Sequence, residues 1–425
     1  MTVENYNITG TVAPGFESVR DAFVKNFQDD LEWGASYTAY YNGQKVVDLA
    51  GGWADDAKTK PYTNKSVHVV HSSGKAIMAM SIAHAVSKGM LRYDQKIADV
   101  WPEFAEGGKE NVLVKDLLEH AGGVGWLDKE RMPHVTELAD LDVVAKKIAG
   151  QPHNFGGKLV KSYHALTRGW YLNEILRRSM GTTHGDLLKA WTTKLGVDVF
   201  VGFPASEDAR FCNIGYGPES AGSFTFFGTL PPQSPAYKSF HETQIQGAWG
   251  LPGASELLSN VKEIVRCQVP SVYTVTNSGG LAAFANVMAQ GGSVDGLEIM
   301  DAATFEAAHV VEDRMDPVDA SLGAPIITIV GGWAKNIPGT KVPNMRMDMT
   351  KMPPAPTVPQ EYFGAGWEWQ GWDGLGGSQI QWSRNRKAAI GYAPTRLGPG
   401  GGMTNDRVGR LNLAFVEAVD KLEKK

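Results

Sequence analysis

The sequence has few of the features that mark secreted, membrane or metal-binding proteins. Cysteine is scarce: Cys212 and Cys267 are the two in 425 residues, too few for a disulfide framework, and neither lies in a Cys-x-x-Cys pair. No apolar run approaches the roughly 20 residues that span a bilayer. The first residues show no basic stretch followed by an apolar one, so no secretory signal is recognised. We therefore expect reduced thiols and a cytoplasmic protein.

Charge of one sign is not concentrated anywhere. The 41 basic and 46 acidic residues give a net charge of −5 and are interspersed, which argues against nucleic acid or an anionic membrane as the main partner. The ten histidines form no His-Glu-x-x-His or clustered His/Cys pattern, so no metal or other cofactor is predicted. A small molecule is the expected partner, and the oligomeric state is not predicted.

Apolar periodicity divides the chain into helices and strands. Two β-rich runs flank Asn42-Gly43, a pair that favours the tight turn of a hairpin. The predicted helices are residues 16–31, 75–89, 114–120, 167–179, 255–265, 281–290 and about 406–422. The predicted strands are residues 35–41, 44–50, 362–369, 378–383 and 387–392.

Strand patterns at both ends with helices between them predict an α+β protein. Residues 1–75 and 270–425 are expected to form one discontinuous sheet domain, and residues 76–269 a mainly helical one. The active site is expected in the cleft between these two lobes. Residues 316–360 carry many Pro and Met and few clear periods, and we interpret them as an irregular, lid-like loop.

The most informative stretch is residues 69–78, VVHSSGKAIM, where a strand-like run ends and a helix begins. Positions three apart share a helix face, so Ser72 Oγ and Lys75 Nζ can approach each other. A neighbouring amine helps to remove the proton of a serine, which is otherwise a weak nucleophile. The competing interpretation is a helix-capping serine beside a solvated lysine. Ser73 is a rival nucleophile, but it lies on a different helix face from Lys75.

Three further stretches give this Ser-x-x-Lys pattern a context. They are residues 91–104 (LRYDQKIADVWPEF), 114–124 (VKDLLEHAGGV) and 162–178 (SYHALTRGWYLNEILRR). Together they resemble the class C β-lactamase-like serine hydrolases over about residues 12–420. The resemblance implies a β-lactamase/transpeptidase-like fold, with an antiparallel sheet flanked by helices and a mostly helical second lobe. It also implies that Ser72 is the nucleophile and that Lys75 and Tyr163 share the general-base and general-acid work.

A Gly-rich stretch near the end, residues 371–378 (GWDGLGGS), resembles the strand edge that borders the active site in this family. The resemblance implies an oxyanion hole made by the backbone amides of Ser72 and Leu375. It also places Trp372, Asp373 and Gly374 beside the substrate. A Gly-rich hairpin without function is the alternative.

Several positions depart from the family pattern. Trp372 stands where the family has Lys or His, so the cation that meets a β-lactam carboxylate is missing. Ala165 replaces the Asn of Tyr-x-Asn, and with His164 it completes the predicted substrate-binding set. At both positions, 372 and 165, the sequence resembles family VIII carboxylesterases. Gly74 replaces a Thr or Ser; it costs up to about 1 kcal/mol in a helix interior and is expected to leave room for a bulky acyl group.

The leading hypothesis is a serine hydrolase that cleaves carboxylic esters through a Ser72 acyl-enzyme, with weak or no β-lactamase activity. Lys75 and Tyr163 have ordinary pKa values of about 10.4 and 10, too high for a base near neutrality. Burial is expected to lower the pKa of Lys75, and a cationic Lys75 that of Tyr163. Which of them takes the serine proton is left open. The alternatives are an acyltransferase that uses a small-molecule acceptor and a non-catalytic binding protein that retains the fold.

Overall fold

The computed structural model describes residues 6–220, 229–245, 257–336, 364–399 and 405–424. Its helices are α1 (Glu17–Gln28), α2 (Gly74–Ser87), α3 (Val114–Leu118), α4 (Leu141–Ala149), α5 (Arg168–Met180), α6 (His184–Leu195), α7 (Lys262–Val265), α8 (Ser278–Ala289), α9 (Ala302–Ala308) and α10 (Asp406–Glu423). Its strands are β1 (Thr9–Val12), β2 (Gly34–Tyr41), β3 (Gln44–Gly52), β4 (His68–Val69), β5 (Val199–Phe200), β6 (Gly215–Tyr216), β7 (Val275–Thr276), β8 (Ser293–Val294), β9 (Leu297–Glu298), β10 (Val318–Asp319), β11 (Ala324–Pro325), β12 (Ala334–Asn336), β13 (Trp369–Asp373), β14 (Gln379–Ser383), β15 (Ala388–Pro394) and β16 (Arg396–Leu397).

One seven-stranded antiparallel sheet joins the two ends of the chain. Its strand order is β1-β3-β2-β15-β14-β13-β12, so the N-terminal hairpin pairs directly with a C-terminal strand. The joint is the β2–β15 ladder, in which Tyr37 faces Tyr392 and Tyr41 faces Ala388. Strands far apart in sequence therefore meet at the middle of the sheet.

Helices cover both faces of this sheet, as the alternation along β15 requires. Ile390 and Tyr392 lie in the core beneath α1 and α10. Ala389 and Ala393 point the other way, into the large core that contains α8. Gly391 lies between these alanines, and any Cβ there would collide with the backbone of α8 at Ser278. Small residues thus let α8 lie close against the sheet.

Helix α2 lies inside the larger core rather than on the surface. Its apolar side chains are buried on all sides, which is typical of a central helix. Because the helix is fixed by packing along its length, the turn at its N-terminus, His71–Ser73, is fixed as well. That turn carries Ser72.

Most predicted elements are confirmed by the structure: the first and last helices, the Asn42-Gly43 hairpin, the helices at 75–89, 114–120, 167–179 and 281–290, and the last two strands. The strand predicted at 362–369 is wrong over its described part. Gly364 and Gly366 adopt positive φ there, and the strand begins at Trp369. The helix predicted at 255–265 is two short turns, Leu258–Asn260 and Lys262–Val265, with its first residues outside the described ranges.

The described part of residues 316–360 is anchored to the rest of the protein. Lys161 Nζ donates to the Ile326 carbonyl, and the Trp333 indole donates to the Ala76 carbonyl of α2. Of the residues that we predicted to form a lid-like loop, residues 337–360 lie outside the described ranges.

The division into two lobes, with boundaries at 75/76 and 269/270, stays a prediction. No helix within the described ranges is long and apolar enough to cross a bilayer.

Candidate active site

Ser72 lies in a tight turn that leads into α2. The residue before it, His71, has φ +46°, and Ser72 itself is half-buried while Ser73 is fully buried. The leading amides of a helical segment have no carbonyl partner in the preceding turn, and they carry the positive end of the helix dipole. The positive end of this helical segment therefore lies beside the Ser72 hydroxyl, where the negative charge of an oxyanion would develop.

Lys75 follows one turn later and points back at Ser72. Its Nζ lies 3.1 Å from Ser72 Oγ, 2.6 Å from the Ala165 carbonyl oxygen and 2.8 Å from the Ser271 carbonyl oxygen. The residue is 1% exposed. The predicted approach of the serine and the lysine is confirmed by this geometry. The carbonyls of Ala165 and Ser271 are contacts that sequence reasoning missed.

The surroundings of Lys75 disfavour its charged form. Burial, and second the positive charge of Arg168, hold the pKa of the amine well below its ordinary value. No carboxylate among the described residues forms an ion pair with it. A neutral amine donates two hydrogens, which the two carbonyls accept, and its lone pair then faces the Ser72 hydroxyl. In this state Lys75 can accept the serine proton.

Tyr163 reaches Ser72 from 91 positions further along the chain. Its hydroxyl lies 2.8 Å from Ser72 Oγ, and its ring lies 5.0 Å from Lys75 Nζ. Burial raises the pKa of Tyr163 to about 12, although the Ser72 hydrogen bond opposes this shift. The net shift of the Tyr163 pKa is thus upward, opposite to the lowering that was expected beside a cationic Lys75. The phenol keeps its proton near neutrality and is suited to act as an acid.

Aromatic packing fixes the orientation of Tyr163. Trp372 stacks on it with ring centroids 6.0 Å apart and 10° between planes, and the indole N–H lies 3.4 Å from the phenol oxygen. His120 packs against both rings. The Tyr163 backbone N–H donates to Asp319 Oδ1 at 3.0 Å, from the segment with no periodicity. Asp319 had no local pattern that could have identified it.

The Gly-rich loop packs directly on the serine turn. A Cβ on Gly374 would collide with Ser378 Oγ and the Val70 carbonyl, so the close approach requires glycine here. Ser378 Oγ donates to that carbonyl at 2.7 Å and lies 3.0 Å from Ser73 Oγ. Gly374 and Ser73 thus pack the Gly-rich loop against the serine turn. Because Ser73 is buried in this contact, it is not placed to act as a nucleophile.

The other predicted substrate-binding residues lie in different settings. His164 is buried: its Nε2 accepts from the Val124 N–H and its Nδ1 bonds the Ser162 carbonyl, so the structure does not place it on a substrate surface. Ala165 contributes its carbonyl to Lys75. Asp373 is half-buried and accepts from Gln381.

Gly74 does not leave room for an acyl group. A Cβ at this position would collide with the Thr274 side chain, which occupies the space. The expectation of an acyl pocket there is wrong because the missing side chain is replaced by packing against the segment after Pro270. Glycine is needed for that contact.

Arg168 is a buried cation that the sequence analysis did not identify. It is 1% exposed, donates from Nη2 to the Gly332 carbonyl at 2.9 Å and lies against the Trp372 ring, 5.7 Å from its centroid. Its Nε and Nη1 have no hydrogen-bond partner among the described residues. Burial lowers the pKa of Arg168 to about 10, so it remains charged near neutrality. It is the second contributor, after burial, to the low pKa of Lys75.

Within the described ranges, no three His, Cys, Asp or Glu side chains are grouped in a way that could hold a metal ion. The antiparallel sheet, the buried helix and the meeting of Ser72, Lys75 and Tyr163 define a serine hydrolase of β-lactamase/transpeptidase-like fold. The chain belongs to the Beta-lactamase family, whose model matches residues 23–414. The predicted fold class and family are thereby confirmed.

Relatives of this chain include esterases. It is 26% identical over 340 residues to the esterase/beta-lactamase LipL of Mycobacterium tuberculosis, covering 77% of each chain. A family VIII carboxylesterase structure is 26% identical, with a TM-score of 0.78 and coverage of 98% of this chain and 99% of that one. A penicillin-binding protein homologue from Caulobacter crescentus is 28% identical, also with a TM-score of 0.78, covering 97% and 100%.

Proposed function

We propose that this protein is a carboxylesterase that works through an acyl-enzyme on Ser72. One observation carries the proposal: Lys75 Nζ, an amine with a lowered pKa, and the protonated Tyr163 hydroxyl both contact the half-buried Ser72 Oγ. Their distances from that oxygen are 3.1 and 2.8 Å. The names of the esterase relatives support the ester as the substrate class.

In the first half of the proposed reaction, Ser72 Oγ attacks the ester carbonyl as its proton passes to Lys75 Nζ. The amides of Ser72 and Leu375 bind the oxyanion, and removing one such donor typically costs about 10²–10³ in kcat. As the intermediate collapses, Tyr163 gives its proton to the leaving alkoxide. The resulting phenolate lies beside the Lys75 ammonium, which compensates its charge.

In the second half, water attacks the acyl-enzyme and loses its proton to the Tyr163 phenolate. The Lys75 ammonium returns its proton to Ser72 as the acid leaves. Every group then regains its starting protonation state. The assignment gives Lys75 the base role at acylation and Tyr163 the acid role, which the sequence had left open.

Esters are favoured over β-lactams by the side chains at two positions. Trp372 is committed to the Tyr163 stack and offers no cation to a β-lactam carboxylate. Ala165 has no side-chain amide and contributes only its carbonyl, which Lys75 uses. Arg168 is buried behind the tryptophan ring and is not exposed to a ligand.

Labelling with a fluorophosphonate probe and peptide mapping tests the proposal. We expect the label on Ser72, hydrolysis of p-nitrophenyl butyrate well above that of nitrocefin, and loss of both label and hydrolysis in Ser72→Ala. Ser73→Ala is the matched control, since the neighbouring serine is buried and bonded to Ser378; it should keep the label. Full esterase activity in Ser72→Ala would contradict the proposal.

The same assay separates the two alternatives. An acyltransferase would shift its product from acid to new ester as alcohols are added, whereas an esterase would not. A non-catalytic binding protein would show no turnover that depends on Ser72.

A further inference from the structure

The residue before the proposed nucleophile is unusual in its backbone. His71 is not glycine, yet its φ is +46°, a left-handed conformation that costs most side chains on the order of 1 kcal/mol or more. Such a conformation persists only where neighbouring interactions hold it. The contacts that hold His71 in this conformation therefore indicate the structural role of its side chain.

The buried imidazole of His71 connects three segments. Its Nδ1 lies 3.1 Å from the Leu375 carbonyl oxygen, and its Nε2 lies 2.9 Å from Ser259 Oγ. A carbonyl only accepts, so Nδ1 carries the hydrogen and Nε2 accepts from the Ser259 hydroxyl. Burial lowers the pKa of His71 to about 4, which keeps this neutral form near neutrality.

Leu375 is the residue whose amide is proposed as the second oxyanion donor. Two side-chain bonds help to position its short loop: His71 Nδ1 donates to the Leu375 carbonyl, and Arg407 Nη2 donates to the Gly376 carbonyl at 2.9 Å. The first of these bonds comes from the residue covalently joined to Ser72. The ring therefore connects the two turns, His71–Ser73 and Leu375–Gly377, that bear the two proposed donors.

We infer that His71 is a positioning residue whose side chain fixes the Leu375 backbone against the Ser72 turn and so sets the spacing of the two oxyanion amides. This inference rests on the proposed function. It assigns His71 no contact with substrate and no proton transfer. Its contribution comes from holding two backbone donors at the separation that a tetrahedral intermediate requires.

Two substitutions separate this role from backbone strain. His71→Gly removes the ring and also relieves the left-handed strain. His71→Asn places an amide N–H near the position of Nδ1, and Asn tolerates positive φ. We expect His71→Gly to lower kcat for p-nitrophenyl butyrate by on the order of 10- to 100-fold, with KM within about threefold. In His71→Asn the decrease in log kcat, relative to wild type, should be no more than half of that in His71→Gly.

A boronic acid reports on the oxyanion hole without turnover. The Ki of phenylboronic acid should rise in His71→Gly in step with the fall in kcat and recover in His71→Asn. The matched control is His84→Asn, because the His84 Nδ1 also bonds a backbone carbonyl, that of Ile299, but lies three turns along α2. It should leave kcat and Ki within about twofold.

The outcomes separate the inference from the proposed function. If the wild type shows no hydrolysis that Ser72→Ala abolishes, the proposed function fails. If that hydrolysis is present but His71→Gly keeps kcat and Ki within twofold, the inference is overturned. An Asn variant as defective as the Gly variant, with both folded by circular dichroism, also overturns it, because the Nδ1–H bond would then not be the feature that matters.

Discussion

Two buried basic side chains in this molecule have opposite surroundings. Arg407, at the start of α10, pairs with the buried carboxylate of Glu32 at 3.1 Å and also donates to the carbonyls of Leu31, Arg396 and Gly376. Lys75, at the start of α2, has only uncharged oxygens within hydrogen-bond distance among the described residues. Arg407 thus has a counter-charge beside it, and Lys75 has the proposed nucleophile.

The difference appears in the protonation of the two groups. Burial pulls the pKa of Arg407 down, but Tyr392 and Glu32 raise it above its ordinary value overall. At Lys75 burial acts with Arg168, and the pKa falls well below the ordinary value. Carbonyl oxygens satisfy the hydrogen bonds of an amine without stabilising its charge as a carboxylate does. A buried lysine without a counter-ion is thus able to act as a base.

The largest expected effect is the loss of activity in Lys75→Met. Without the base, we expect kcat/KM for p-nitrophenyl butyrate to fall by about 10³, within the range for general-base removal. Lys109→Met is the matched control, since Lys109 is also buried and, within the described ranges, its hydrogen bonds go to backbone carbonyls and none to a serine. That variant should keep wild-type kcat/KM in its folded fraction. Comparable losses in both variants would contradict the base role.

Breaking the ion pair should instead affect stability. Arg407→Met leaves the Glu32 carboxylate buried without its charged partner, and we expect the free energy of unfolding to fall by about 3–5 kcal/mol in urea titration. The double variant Glu32→Leu/Arg407→Met should recover most of this loss, because no buried charge is left unpaired. A single variant within about 1 kcal/mol of wild type would show that the pair is not structural.

Removing the charge of Arg168 should shift a pH profile. The histidines near Lys75, which are His71, His120 and His164, have pKa values lowered by burial and are neutral near pH 7. Arg168 is therefore the charge that acts on Lys75. In Arg168→Met the pKa of Lys75 rises because the neighbouring positive charge is gone, so the acid limb of kcat/KM should move to higher pH.

Arg168→Lys, which keeps the charge, is the control for this shift. Its acid limb should stay near the wild-type position even if kcat falls. An unchanged limb in Arg168→Met, with the protein folded, would argue that burial alone sets the pKa of Lys75.

The smallest expected effect is at Trp372. Trp372→Phe keeps an aromatic ring against Tyr163 but removes the indole N–H, which lies 3.4 Å from the phenol oxygen. A weak neutral hydrogen bond is worth about 0.5–1 kcal/mol, so kcat should fall by about two- to fivefold. A loss beyond about 30-fold would mean that Trp372 has a larger role than orienting Tyr163.

Sequence patterns predicted the parts of this structure that depend on local spacing. The hairpin around Asn42-Gly43 and the approach of Ser72 to Lys75 both follow from short-range geometry, and the structure confirms them. The place of Tyr163 came from a family resemblance, and the structure brings it to Ser72.

The parts that escaped prediction depend on contacts distant in sequence. The Ala165 and Ser271 carbonyls that hold Lys75 are backbone atoms, which no residue pattern marks. Asp319 lies in a segment with no period, and it meets Tyr163 across 156 positions. The pKa of Tyr163 was predicted in the wrong direction because burial outweighs its hydrogen bonds with Ser72 and Trp372 and the charge of Arg168. Burial of this kind is not visible in a single motif.

The protonation of Lys75 can be measured directly. Lysine labelled with ¹³C at Cε gives one NMR resonance per side chain, and the Lys75 signal is the one missing from Lys75→Met. We expect this resonance to titrate well below the ordinary lysine value of about 10.4, with a midpoint that coincides with the acid limb of kcat/KM. A Lys75 amine that titrates at or above the ordinary value would rule out its role as the base at neutral pH.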